Sequence, residues 1–141
     1  MYLSDFQGYA KPVGDKKKSA EFQAAFLKAV KAGLEAGAAK VPVPMIVNEM
    51  VGMSNAVKQS YYVPQGACGF AWVNVSPANS PFANWLKANE FARKSYSGGV
   101  DIWISDFGQS VEQKEACAGA MAKVLQMELG MSGIYASSRL D

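Results

Sequence analysis

From residue 68 to residue 141 the hydrophobic pattern changes period four times, and no other feature restricts the fold of this chain so tightly. "CGFAWVNV" and "VDIWIS" are short apolar runs of strand length, and "GIYAS" closes the series as a third. Between them, "SPFANWLKANEFARKS" and "SVEQKEACAGAMAKVLQMELG" place their apolar residues at helical spacing. A chain that alternates strand, helix, strand, helix, strand must bury a sheet face under helices. The expectation is an α/β (α+β) fold, a two-layer sandwich with a mixed sheet of four or five strands and helices mainly on one face. Crossovers are right-handed wherever neighbouring strands run parallel.

Local signals set the boundaries. Ser80 followed by Pro81 opens one helix, and Arg93 and Lys94 are read at its C-terminal end, where cations complement the helix dipole. Ser110 with Gln113 forms a capping box for a helix over 111–129, with Ala118, Met121, Leu125 and Leu129 on its apolar stripe and Gly130 as its stop. Upstream, Ser19 is positioned to cap an amphipathic helix over about 20–36, whose stripe is Phe22, Phe26, Ala29, Val30, Gly33 and Leu34. Lys16, Lys17 and Lys18 precede it as a solvated charge run. Val57, Gln59, Tyr61 and Val63 alternate against Lys58, Ser60 and Tyr62, and "PQGA" leads on to Cys68, so a β-hairpin over 57–75 is expected. The run Cys68 to Val73 is apolar on both faces, as in a central strand covered on both sides. Trp72, Trp85 and Trp103 are assigned to the core. Residues 1–141 make one domain, with 1–40 as an N-terminal arm and helix and 41–141 as the α/β core.

Charge and residue inventory exclude several function classes. Lys and Arg total 14 against 12 acidic residues, a net charge of +2. That balance argues against a nucleic-acid partner, which calls for a strongly basic face. No segment has the roughly 18 apolar residues of a membrane span, and "MYLSDFQGYAKP" lacks the charged and apolar regions of a signal peptide, so no membrane association and no secretion are expected. The chain has no histidine and two cysteines, in "GACGF" and "EACAGAM". Buried thiols fit those apolar contexts, and no zinc or other metal site is expected. The glycines form neither a dinucleotide-binding nor a phosphate-loop signature, so no cofactor is expected. Without histidine, catalysis would rest on carboxylates, lysine or tyrosine. Asp101 and Asp106 are the only close acid pair beside a candidate cleft, and their spacing fixes no acid/base geometry. The balance leans away from an enzyme.

The best ligand candidate is the junction Ser105 to Ser110, which leaves a strand and opens a helix, where free N–H groups and the positive dipole end point outward. Lys114 lies one turn inside, near the apolar stripe. A cation there needs a carboxylate or a bound anion nearby, and pairing to an acid is the commoner solution. If the strands are parallel neighbours, Arg139 approaches the same sheet edge. Gln109, Ser110, Lys114 and Arg139 then form a small basic pocket, with Asp106, Arg93 and Lys94 as secondary members.

"GACGFAWVNV", "NSPFANWL", "ARKSYSGGV", "IWISDFGQS", "AMAKVL" and the terminal "SRLD" carry a resemblance over residues 66–141. In these stretches the chain resembles small uncharacterised proteins encoded by tailed bacteriophages and found in environmental sequence. The resemblance implies a viral origin, a place in the host cytoplasm or the virion, and no particular chemistry. Three function classes follow. The leading one is a non-catalytic accessory protein that binds a host protein or a small anion. The others are a structural virion component and a small enzyme using Asp101, Asp106 or Lys114. Few charges and 11% aromatics also favour a homo-oligomer, with the N-terminal arm packed on a neighbour.

Overall fold

The computed structural model describes residues 1–50, 57–64 and 66–141, with the side chains of 47–50, 57–59 and 61 outside the description. A single 3-10 turn, Leu3–Asp5, precedes α1 (Lys16–Ala39). There follow β1 (Met45–Met50), β2 (Val57–Val63), β3 (Gly69–Val75), α2 (Pro81–Ala88), β4 (Arg93–Lys94), β5 (Val100–Trp103), α3 (Val111–Leu129) and β6 (Ile134–Leu140). The α+β class expected from the changes of period is the one found.

The strands form a two-stranded ribbon, β1-β2, and a four-stranded sheet in the order β4-β5-β3-β6. Every pairing is antiparallel. Among the described residues no strands pair in parallel, so the condition set for the basic pocket is not met, and the sheet is antiparallel where a mixed one was expected. From β3 to β6 the connectivity is β-α-β-β-α-β, a split β-α-β unit. The hairpin over 57–75 is also corrected: β2 pairs back onto β1, with Met45 opposite Val63. The reason is that β3 has no free edge, since β5 and β6 take both sides of it. The alternation at Val57, Gln59 and Tyr61, and Gln65 in the turn, lie outside the described side chains and residues.

Ala71, Val73 and Val75 of β3, Val100 and Ile102 of β5, and Ile134 of β6 point to the helices and are fully buried. Against them sit Cys117, Ala118, Met121 and Leu125 of α3, at helical spacing. α1 packs along α3, and Gly33 and Gly37 allow the close approach. A methyl on Gly33 would stand 2.6 Å from Met121 Cγ, and one on Gly37 would overlap the Phe107 ring. Phe26 and Trp85 join α1 to α2, their ring centroids 5.8 Å apart.

Caps decided two boundaries differently from expectation. Ser19 does not cap α1, because its hydroxyl is held by the backbone of Val13, accepting from the N–H at 2.9 Å and donating to the carbonyl at 2.8 Å. Asp15 caps instead, accepting from the N–H groups of Lys17 and Lys18. The lysine run is thus the first turn of the helix, where Asp15 offsets its unfavourable meeting with the dipole. α2 stops at Ala88 with Asn89 as cap, so Arg93 and Lys94 do not end a helix. They form β4, with Arg93 opposite Asp101.

The N-terminal arm packs on its own domain. Leu3 is fully buried, and Phe6 makes edge contacts with Phe26 at 5.0 Å and Phe91 at 5.3 Å. Lys11 N–H donates to Asn89 Oδ1 at 2.6 Å.

Candidate functional site

The Ser105 to Ser110 junction is filled by the chain's own groups. Ser110 is fully buried, and its hydroxyl accepts from Gln113 N–H at 3.2 Å. The Val111 N–H donates to the Ala67 carbonyl at 3.1 Å, and the Gly69 N–H donates to the Gln109 carbonyl at 3.1 Å. Segment 67–69 thereby closes over the start of α3. Asp106 faces the other way and accepts from the N–H groups of Leu3 at 2.7 Å and Ser4 at 3.2 Å. It caps the 3-10 turn. Phe107 holds a left-handed backbone (φ 70°) and sets its ring on Gly37. At the start of α3 the N–H groups of Ser110, Val111, Gln113 and Lys114 are thus spent on bonds within the chain.

Lys114 and Arg139 do come together, around an aromatic ring. Lys114 is 6% exposed; its Nζ is 3.5 Å from the Gly69 carbonyl and 5.8 Å from the centroid of Phe70. The Arg139 guanidinium is 5.1 Å from the same ring. Among the described residues the ion pair is Lys28 with Glu128, so Lys114 is not held by a carboxylate. A carbonyl and a ring face supply its electrostatic partners. Gln109 is exposed and contributes its backbone. Arg93 and Lys94 are exposed on β4, where Arg93 shares the open sheet face with Asp101. Asp101 is buried and accepts from Asn74 Nδ2 at 2.8 Å.

That open face carries Phe70 and Trp72 from β3 and Trp103 from β5, all half-buried. Trp72 and Trp103 are cross-strand neighbours with ring centroids 4.8 Å apart. Trp85 is core as expected, whereas Trp72 and Trp103 lie on the side of the sheet away from the helices. The strand β3 is covered by helices on one face only, and its burial alternates over Gly69 to Val73.

A larger concavity lies elsewhere, on the helices. A groove of about 830 Å³ runs between α1, the start of α2 and the end of α3. Its apolar wall includes Phe22, Ala25, Phe82, Leu129 and Met131, and Lys18, Lys28 and Lys31 stand on its rim with Glu21 and Glu128. Lys28 Nζ meets Glu128 Oε1 at 2.8 Å and ties α1 to α3 across one wall. The Phe82 ring stacks on Trp85 behind the groove, with centroids 5.9 Å apart. The groove exists because Ser80 and Pro81 start α2 beside the Phe22 turn of α1. No sequence pattern marked it, since its wall comes from three separated segments. The one local hint was the lysine content of the first helix.

The two thiols differ. Cys68 is exposed and Cys117 is buried, so the expectation of two buried thiols holds for one. Burial, reinforced by the Asp106 carboxylate, pushes the Cys117 thiol up to about 12. Among the described residues no helix is long and apolar enough to cross a membrane, and no three metal-ligating side chains cluster. No family model, curated protein or solved structure matches the chain.

Proposed function

We propose that this protein is a non-catalytic binding protein, of the phage accessory kind, whose ligand is an apolar molecule with an anionic end. The observation that carries the reading is the 830 Å³ groove, with its wall of Phe22, Phe82, Leu129 and Met131 and its three rim lysines. Its volume is in the range of small-molecule sites, which are mostly apolar with a few placed polar groups. Three lysines against two glutamates leave the rim positive, and Glu128 is already engaged by Lys28. An anionic head is therefore favoured over a cationic one. The phage part of the proposal comes from the resemblance of residues 66–141, which implies a viral origin and neither a role nor a ligand. Asp101 and Asp106 are each committed to structural hydrogen bonds, which gives the enzyme reading no support from geometry.

The test is a titration with dodecanoate below its micelle concentration, followed by tryptophan fluorescence and thermal melting. Trp85 backs the groove wall and should report occupancy. At a hundredfold excess over Kd the gain in stability is about 2.7 kcal/mol. Dodecyltrimethylammonium, with the same tail and opposite charge, should bind more weakly, and Leu129→Asp should abolish the response. Equal affinity for both amphiphiles, or no response to either, would refute the proposal.

A further inference from the structure

The four-stranded sheet has two edges of opposite character. At one, β4 is two residues long and both are cationic, Arg93 and Lys94. Such an edge is blunted against pairing. At the other, β6 runs seven residues, Ile134–Leu140, in unbroken register with β3 and contains no proline and no lysine. Tyr135 is 49% exposed and Leu140 69%.

The free hydrogen-bonding groups of this edge follow from the ladder. Ser76 N–H donates to the Gly133 carbonyl at 2.8 Å, and Asp141 N–H donates to the Cys68 carbonyl at 3.1 Å. In an antiparallel pair the bonded positions alternate. Residues 133, 135, 137, 139 and 141 therefore bond inward to β3, and the main chains of 134, 136, 138 and 140 face out. Gln126 Nε2 donates to the Ile134 carbonyl. Ala136, Ser138 and Leu140 remain, with no backbone partner for their outward groups among the described residues.

We infer that β6 is a self-pairing edge, on which a second copy of this chain adds its own β6 antiparallel across a two-fold axis at Ser137. This register overlaps the two strands along their full length and sets outward residues only against outward residues. On the open face Tyr135 then lies opposite the partner's Arg139, a cation against a ring face. On the helix face Ile134 lies opposite the partner's Leu140, which covers the most exposed apolar side chain of the strand. The complementarity is with itself, as a two-fold interface requires. The two sheets become one of eight strands, β4-β5-β3-β6 continued by its own mirror order.

Sedimentation velocity from about 1 to about 100 µM, the span in which micromolar dimers dissociate, tests the pairing. The wild-type chain should move from its 15.1 kDa monomer to twice that mass. Ser138→Pro deletes an outward N–H and no bond to β3, so the monomer keeps its circular dichroism while dimer affinity falls at least about tenfold. Leu140→Lys should weaken the dimer likewise. In a Cys68→Ser background, Ser137→Cys should form an intermolecular disulfide under mild oxidation and Ser138→Cys should not, because only residue 137 meets its own copy. A wild-type chain that is monomeric throughout overturns the inference. So does a dimer that survives Ser138→Pro, or one that crosslinks equally through residues 137 and 138.

Discussion

Cys117 shows how one side chain converts packing into a pH response. It is fully buried, and a methyl on Gly33 of α1 would stand 3.0 Å from its Sγ. Its thiol, raised from 9.0 to about 12 by burial and by Asp106, stays protonated in the native state where the unfolded chain ionises. The native state then binds more protons than the unfolded one between about pH 9 and 12, so stability is intact below that window and falls as pH rises through it. Cys117→Ala removes this contribution. From about pH 8 to about pH 10.5, urea melts of the wild type should lose more stability than those of the variant, by up to about 1.4 kcal/mol per pH unit in the titrating range. Parallel pH profiles would show the idea wrong. At this scale the sequence was legible where a residue acts on its neighbours, as Ser80 and Ser110 do in capping. It misled where a side chain had a competing partner: Ser19 is claimed by Val13, and Asp106 by the amide groups of Leu3 and Ser4, about a hundred residues away.

At the scale of elements, α3 could be placed at both ends and α2 at its start because caps and stops are local signals, whereas the sequence pattern makes α2 too long, Asn89 ending it before Arg93 and Lys94. Strand pairing could not, because it depends on which edges remain free after the whole chain folds. β2 looked like the natural partner of β3 until β5 and β6 are seen to occupy it. β4 was missed for the same reason, since two residues have no periodicity of their own. The groove is likewise a product of assembly, and so is the meeting of Lys114 and Arg139 at Phe70, which the sequence suggested through a parallel arrangement and the molecule achieves through an antiparallel one. The α1–α3 contact gives a test with opposite signs at two glycines. Gly33→Ala places its methyl 2.6 Å from Met121 Cγ and 3.0 Å from the Cys117 carbonyl, an overpacking that costs about 1–3 kcal/mol. Gly119→Ala meets nothing within 4 Å, so it gains helix propensity of about 1 kcal/mol. Thermal melts should move in opposite directions, and a stabilising Gly33→Ala would contradict the close approach of the two helices.

At the scale of the whole molecule the N-terminal arm joins parts that are otherwise far apart in the chain. Its 3-10 turn is fixed by Asp106 in the β5–α3 loop, Phe6 meets the stacked Phe26 and Phe91 rings edge-on, and the N–H and carbonyl of Lys11 are both bound by Asn89. These contacts lie within one chain, so the self-pairing inferred for β6 leaves the arm untouched. Leu3→Ala should therefore cost about 2–5 kcal/mol as a core deletion. Tyr9→Ala, at a side chain 77% exposed, should stay within about 0.5 kcal/mol. Urea unfolding at low protein concentration, where the monomer dominates, measures both. Leu3→Ala and Ser138→Pro then separate fold from assembly: the first should lower stability and leave the dimer dissociation constant of the folded chain unchanged, and the second should leave the monomer's fold intact and weaken the dimer. If Leu3→Ala instead weakens association, the arm is exchanged between copies, and the contact between Leu3 and Asp106 forms across the dimer instead of within the chain.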